Sequence, residues 1–334
     1  MRWRLFFVAL VLTLAAGALV LERFAERLEP ANASGSPQLF TVARGSTLAD
    51  ICRSLEAEGL VRSALVTEWV GRLDARQVTL RAGEYEVSPA WTPREILAHL
   101  SEGPTKTYEV VLPEGLRAEQ IAGRLESAGL VSSKQFLALV RDPEFVLSLG
   151  LEGETLEGYL FPETYRIPRG LPATEVVRIL TREFQRAWKK VEAAAAKRNM
   201  SMRDVIILAS IVEKETAAPK ERPRIASVFH NRLEKNIRLA TDPTVIYGIA
   251  NFDGNLKRRH LEDPSNPYNT YKHPGLPPGP ISNPGEAALL AVVEPEDSDY
   301  LFFVSKNDGT HVFSKTYAEH ERAVDYYQRR RRSR

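Results

Sequence analysis

Residues 42–63, VARGSTLADICRSLEAEGLVRS, return seventy residues later as residues 112–133, LPEGLRAEQIAGRLESAGLVSS. Gly45 falls on Gly115, Ile51 on Ile121, Leu55 on Leu125, and Gly59-Leu60-Val61 on Gly129-Leu130-Val131. Repetition on this scale marks one supersecondary unit used twice. Each copy predicts a strand (residues 39–43 and 108–112), a turn at glycine and an amphipathic helix. In the first helix Leu48, Ile51, Cys52 and Leu55 recur at the three- and four-residue spacing of a helical face. Each helix ends at a glycine, Gly59 or Gly129, where a left-handed C-cap carries no Cβ penalty. Between the copies, residues 83–87 alternate like a strand. Thr92-Pro93-Arg94-Glu95 then supplies an N-cap, a proline at the first helical position and a capping-box glutamate.

Working outward, composition bounds the chain. Its 334 residues suggest about two domains. With 43% hydrophobic and 26% charged residues, disorder, collagen and a bare coiled coil are excluded. Lysine and arginine number 45 against 43 acids, a net charge of +2, which argues against a nucleic-acid binder. Five arginines sit in the last six residues, so the basic balance belongs partly to a tail at 327–334. One cysteine, Cys52, excludes an internal disulfide and a cysteine-rich zinc knuckle.

The sharpest break in composition is at the start. Residues 5–21 hold only Thr13 and Gly17 besides clearly apolar types, at the lower edge of what spans a bilayer. Arg2 and Arg4 precede the run and predict a cytoplasmic N-terminus with the rest of the chain exported. A cleaved signal peptide is the rival, because Ala16-Gly17-Ala18 resembles a processing site. An uncleaved anchor over residues 1–21 is favoured, since the apolar run continues through Leu19, Val20 and Leu21. Cys52 lies too far beyond the run for a lipoprotein. Residues 22–38 turn polar, with two prolines, and read as a linker.

Downstream, residues 134–200 read as helical, interrupted by the aromatic stretch 156–165, which carries Glu157 and Glu163. Ser201 is a plausible cap for a buried helix running from Val205 to about Ala218, stopped by Pro219. Glu213-Lys214-Glu215-Thr216 arrives at its C-terminal end. The helix dipole disfavours a carboxylate there, and burial raises a carboxyl pKa. Both effects keep a glutamic acid protonated near neutrality, as a general acid requires. Residues two apart are about 200° apart around a helix, so Glu213 and Glu215 cannot act as a pair on one sugar. The apolar stripes do not choose between them.

The combination is distinctive: LASIVEKET at 208–216, ASVFHNRL at 226–233, LATDPTVIYG at 239–248, YNTY at 268–271 and GLPPGPI at 275–281. Together these motifs resemble the endolytic murein transglycosylase, or MltG (YceG-like), family, from the N-terminal segment to about residue 325. The resemblance implies an enzyme that cleaves peptidoglycan glycan strands internally, outside the inner membrane, through a LysM-like region and a catalytic domain related to lysozyme-like transglycosylases. It puts the catalytic acid/base at Glu215, with Glu213 the alternative. His230 and Ala240 depart from the family pattern. A partnership with peptidoglycan synthases (penicillin-binding proteins) is implied by the resemblance alone. Over residues 39–103 the match to LysM-type modules, which bind N-acetylated glycans, is carried by Gly45, Thr47, Leu48 and Ile51; a plain structural spacer fits equally well.

The chemistry agrees with one carboxylate. A hydrolase needs two flanking the glycosidic bond, whereas a lytic transglycosylase uses one as acid and then as base. Asp242 and Glu163 are the rivals for a second; Asp242, before Pro243, reads as the N-cap of a helix at 244–249. Thr241, Asp242, Tyr268, Asn269, Thr270 and Tyr271 are the expected sugar-binding residues, the rings stacking on sugar faces and the amide reading an acetamido group. Residues 275–280 hold three prolines and make a stiff wall. Six histidines form no metal pair, and no cofactor is expected. His311 belongs to a hairpin, 300–305 and 310–313, turned at Asn307-Asp308-Gly309, from which it could reach a cleft, although an ordinary polar role is the commoner one for it and for His320. His320 follows a capping box at Thr316 and Glu319.

The expected architecture is α+β: a transmembrane helix (1–21), a linker (22–38), a LysM-like subdomain (39–105), a mostly helical lysozyme-like catalytic domain with a short β-hairpin (106–326) and a basic tail (327–334). The expected function is a lytic transglycosylase cleaving the MurNAc–GlcNAc β-1,4 bond to leave 1,6-anhydro-MurNAc ends. The alternatives are a membrane-anchored glycan-binding scaffold without chemistry, and a true hydrolase.

Overall fold

A computed structural model describes residues 2–73, 80–216 and 218–329, without the side chains of residues 2, 4, 5, 8 and 9. Residues 330–334 of the expected basic tail lie outside the described residues. The chain is α+β and divides into two compact units, residues 1–108 with 166–171, and residues 109–165 with 172–334.

The first unit opens with helix α1 (Arg2–Leu28). Among the described residues no helix is long and apolar enough to cross a membrane; the apolar run 5–21 falls partly outside the described side chains. Strand β1 (Gln38–Val42), helices α2 (Leu48–Ala57) and α3 (Ala64–Leu73), strand β2 (Gly83–Val87) and helix α4 (Pro93–Glu102) follow. β1 and β2 pair antiparallel, with Phe40 opposite Tyr85 and Val42 opposite Gly83. The inward residues of that ribbon, Phe40, Val42, Tyr85 and Val87, meet Ile51, Leu55, Ile96 and Leu100 in one core. Cys52, on α2, is fully buried as a free thiol. Thr47 and Thr92 cap α2 and α4 with complete capping boxes, using Asp50 and Glu95.

Strand β3 (Thr107–Val111) and helix α5 (Ala118–Ser127) form the second copy of the repeat. The copies match at their turns. Gly45 and Gly115 have φ of +79° and +74°, and Gly59 and Gly129 have +71° and +69°. Leu60 N–H donates to Leu55 O, and Leu130 N–H to Leu125 O. Both strands begin one residue earlier than their alternation suggests. The copies then diverge. β1 pairs with β2, whereas β3 pairs with β4 (Thr164–Pro168), which follows helices α6 (Ser133–Val140) and α7 (Pro143–Ser148).

The second unit is built around α9 (Met202–Glu215), whose residues from Val205 to Val212 are all buried. Packed on it are α8 (Ala173–Lys197), α10 (Arg222–Glu234), α11 (Asp242–Tyr247) and α13 (Glu286–Val293). Helix α8 buries Val176, Leu180, Phe184, Ala187, Trp188 and Val191 at helical spacing. Helix α12 (Arg258–Glu262) precedes α13. The chain closes with the hairpin β5 (Phe302–Ser305) and β6 (His311–Ser314), and with α14 (Tyr317–Val324), capped by Thr316 and Glu319.

Two further boundaries differ from expectation beside the two glutamates. Helix α9 ends at Glu215, not near Ala218. Thr216 is extended, and its Oγ1 accepts from Ala218 N–H at 2.9 Å, a local alternative to the helical bond. Helix α11 begins at Asp242, so Thr241 and not Asp242 is its N-cap.

Candidate active site

A helix buried on all sides has no solvent face to spend on charge, so the glutamates at its end need partners on every azimuth. Ser201 Oγ caps the start of α9 through Asp204 N–H at 3.1 Å. At the other end the two glutamates diverge. Glu213 Oε1 accepts from Arg222 Nη2 at 2.5 Å and its Oε2 from Gly285 N–H at 3.1 Å, the N-cap position of α13. Arg222 also reaches Glu114 at 3.0 Å. Burial raises the Glu213 pKa above its ordinary value, against the Gly285 amide and the Arg222 guanidinium. Both of its oxygens are committed inside the fold.

Glu215 faces the other way. Its Oε1 accepts from the Thr241 hydroxyl. Its surface is partly accessible, yet protein surrounds it so closely that burial pushes its pKa up to about 7; the Thr241 hydroxyl opposes the rise, Asp242 adds to it, and His311 and Arg232 oppose it. Such a carboxyl donates a proton near neutrality and can take one back.

Three threonines brace this point. Thr241 N–H donates to Thr270 Oγ1 at 3.0 Å, Thr244 Oγ1 donates to Thr241 O at 2.8 Å, and the Thr244 and Thr270 hydroxyls lie 2.8 Å apart. Ala240, just before, holds φ at +47°, a left-handed conformation unusual for a residue with a Cβ, while its N–H donates to Thr270 O at 3.1 Å. Thr241 makes no side-chain cap bond to α11; its hydroxyl is turned to Glu215. Tyr271 Oη donates to Asp242 Oδ1 at 2.8 Å, and burial raises the Tyr271 pKa. His311, on β6, holds Glu221 by its Nδ1 at 2.7 Å and by its backbone N–H at 3.0 Å. Arg232 Nε donates to Leu301 O and its Nη1 to Leu239 O, both at 2.6 Å. Burial lowers the Arg232 pKa, opposed by Tyr271 and Glu215.

Of the residues singled out by sequence, Thr241, Asp242, Thr270 and Tyr271 thus gather with Glu215. Tyr268 and Asn269 do not. The Tyr268 ring packs on Tyr247, centroids 4.8 Å apart, and borders a separate cavity of about 160 Å³ lined by Glu154, Thr155, Arg203 and residues 278–280. The Asn269 amide donates to the carbonyls of His260, Leu261 and Asp263, and its oxygen accepts from Tyr271 N–H at 3.1 Å. It builds the loop that presents Tyr271. Glu163 is exposed beside β4. The proline wall is tied to α9 by Ile281 N–H donating to Ser210 Oγ at 3.0 Å.

Sequence reasoning assigned no role to Glu221, Arg222, Arg232, Thr244 or Asn283. A charged residue inside the apolar phase of α10 is the signal in the sequence that could have marked Arg222 and Arg232. Glu157 is 3% exposed, and burial pushes its pKa up to about 7, the Ala118 N–H opposing. Asn283 Nδ2 donates to it at 2.6 Å. Among the described residues no cluster of three or more His, Cys, Asp or Glu is arranged to hold a metal ion.

A model of the YceG-like family matches residues 40–326, taking in both repeat copies, both glutamates and the threonine brace. The chain belongs to the YceG-like family. A relative from Bacillus subtilis (strain 168), named endolytic murein transglycosylase, is 31% identical over 304 residues, 86% of this chain and 83% of its own length. A relative of the same name from Streptococcus pneumoniae (strain D39) is 26% identical over 353 residues; the alignment covers 96% of this YceG-like chain but 64% of that longer protein. The crystal structure of a YceG-like protein from Listeria monocytogenes superimposes with a TM-score of 0.60 at 34% identity, covering 87% of this chain and all of that one.

Proposed function

We propose that this chain is an endolytic peptidoglycan lytic transglycosylase of the lyase class, with Glu215 as its single acid/base. The observation that carries the proposal is one carboxyl, poised near pH 7 and partly open to solvent, gripped by Thr241 at the end of a buried helix. Relatives named endolytic murein transglycosylase supply the substrate class.

The proposed reaction begins with protonated Glu215 giving its proton to the oxygen of the MurNAc–GlcNAc β-1,4 bond as that bond breaks. Positive charge develops at the MurNAc anomeric carbon. Glu215, now a carboxylate, takes the proton of the MurNAc C6 hydroxyl while that oxygen attacks the anomeric carbon. The product is a 1,6-anhydro-MurNAc end, no water is consumed, and Glu215 regains its proton. In this scheme the Thr241 hydroxyl, donating to Glu215, eases the passage to carboxylate. Asp242, held by Tyr271, places a second negative charge nearby that favours the protonated start. The residues around the acid thus balance its two roles.

The residues 5–21 are proposed to anchor the chain in the cell membrane, with the two units on the extracytoplasmic side, and the first unit to serve as a LysM-like spacer that also touches glycan. The test is digestion of purified peptidoglycan by the full chain, with mass analysis of the fragments. Anhydro ends, one water lighter than a hydrolytic product, are expected. Ends carrying the extra water would make the enzyme a hydrolase, and intact strands would leave a binding scaffold.

A further inference from the structure

We propose that the solvent face of α3 is a lipid-contacting ridge that lies in the headgroup layer of the membrane; this rests on the reading of residues 5–21 as a membrane anchor. Leu65, Trp69 and Leu73 are 65%, 56% and 74% exposed. They are spaced four residues apart, so they fall within about 80° of one another around the helix. The opposite face of α3 is also spent, with Thr67 and Gly71 buried in the first unit. An ordinary surface helix turns polar residues outward; this one turns a tryptophan and two leucines.

The occupant follows from what stands beside the ridge. Helix α1 runs unbroken through Leu28, and Leu28 shares with Val70, Leu73, Thr92, Pro93 and Arg94 a cavity of about 470 Å³. Helices α1 and α3 are in contact, so one end of the ridge lies beside the end of α1. Leu28 is seven residues beyond the last residue of the apolar run, about 10 Å along the helix. An apolar face embeds roughly 5–10 Å into the boundary between headgroups and acyl chains, so α3 lies within reach of that layer. Tryptophan is the residue most at home there, with an apolar body and one N–H donor. Arg72 and Arg94 flank the ridge and suit lipid phosphates; Arg72, although paired with Glu68 at 2.5 Å, leaves 70% of its side chain exposed. A protein partner would need none of this nearness to α1.

Spin labels read the outcome directly. Full-length chain carrying a single added cysteine, Trp69→Cys, is labelled with a nitroxide and reconstituted into vesicles of phosphatidylethanolamine and phosphatidylglycerol. Cys52 is fully buried, so it does not compete for the label. Labels at Leu14→Cys, in the apolar run, and at Glu56→Cys, on the exposed face of α2, give the reference points for lipid and water. Collision with lipid-soluble oxygen is expected to exceed collision with a water-soluble nickel chelate at positions 14 and 69, and to fall below it at 56. A label at 69 that behaves as in water, with 14 still in lipid, overturns the ridge and leaves the anchor standing. A label at 69 shielded from both reagents means that protein covers the ridge and overturns the lipid assignment. A label at 14 that behaves as in water overturns the anchor and the ridge together.

Discussion

Glu213 and Glu215 are separated by one residue and by about 200° of azimuth, and substitution should part them as sharply. Glu215→Gln keeps shape and hydrogen bonding but removes the titrating proton, so anhydro-product formation is expected to fall about 10³-fold or more, the upper range for losing a general acid. Glu213→Gln withdraws the charge that pairs with the buried Arg222. Breaking such a pair from one side costs about 3 kcal/mol, so this variant is expected to unfold at lower urea while its folded fraction still cuts. Full activity in Glu215→Gln, with loss in Glu213→Gln at equal folded fraction, would move the acid to Glu213. The pH dependence follows from the same carboxyl. With a folded pKa of about 7 against an ordinary 4.5, Glu215 begins each cycle protonated, so kcat/KM is expected to fall tenfold per pH unit above about 7. For stability the sign is negative with rising pH. Between pH 4.5 and 7 the unfolded chain releases a proton that the folded one keeps, so folding loses stability over that window and no more above it. Glu215→Gln should therefore raise the melting temperature at pH 8, by about 1–2 kcal/mol of stability after allowing for its solvent access, and leave it unchanged at pH 4. That a glutamate ends this helix was legible from its apolar run and the dipole argument. Which of the two faces Arg232 and His311 was not, because those groups lie on α10 and β6, and only the folded chain brings them near.

At the scale of elements, local chemistry was a good guide where the chain serves only itself. The caps at Thr92, Ser201 and Thr316 and the glycine stops at Gly59 and Gly129 all stand where short-range rules put them. Two of the misjudged boundaries touch the candidate site. Thr241 gives up capping α11 to hold Glu215, and Thr216 ends α9 early so that Glu215 is its last helical residue. A demand made by a distant partner overrides a local preference there, and no window of sequence contains it. The glycine stops also yield a clean measurement. A Cβ on Gly59 would meet nothing within 4 Å, so Gly59→Ala tests backbone conformation alone. Its φ of +71° predicts a loss of about 1 kcal/mol in urea unfolding. An unchanged midpoint would mean that the turn re-forms by another route and that the repeat is not held at its glycine.

At the scale of the whole molecule, the repeat named the right parts without saying what each would pair with. Its two copies look alike and one belongs to each unit, but their partners differ: β2 after two helices for the first copy, β4 after three for the second. Pairing partners lie forty or more residues away in both cases, which is why alternation found the strands and could not join them. Each unit carries a complete core, one centred on Phe40, Leu55 and Tyr85, the other on α9. A region with its own core unfolds as its own cooperative unit. Leu55 and Leu208 are both fully buried, and truncation of either to alanine costs about 2–5 kcal/mol. Leu55→Ala should consequently shift one calorimetric transition down and leave the other in place, and Leu208→Ala should do the reverse. Activity gives the second readout. On heating, anhydro-product formation should vanish with the transition that Leu208→Ala moves, because Glu215 stands on the same helix as Leu208. A single transition displaced alike by both variants would mean that the chain folds as one unit despite its two cores; loss of cutting with the Leu55 transition would mean that the first unit takes part in the reaction itself.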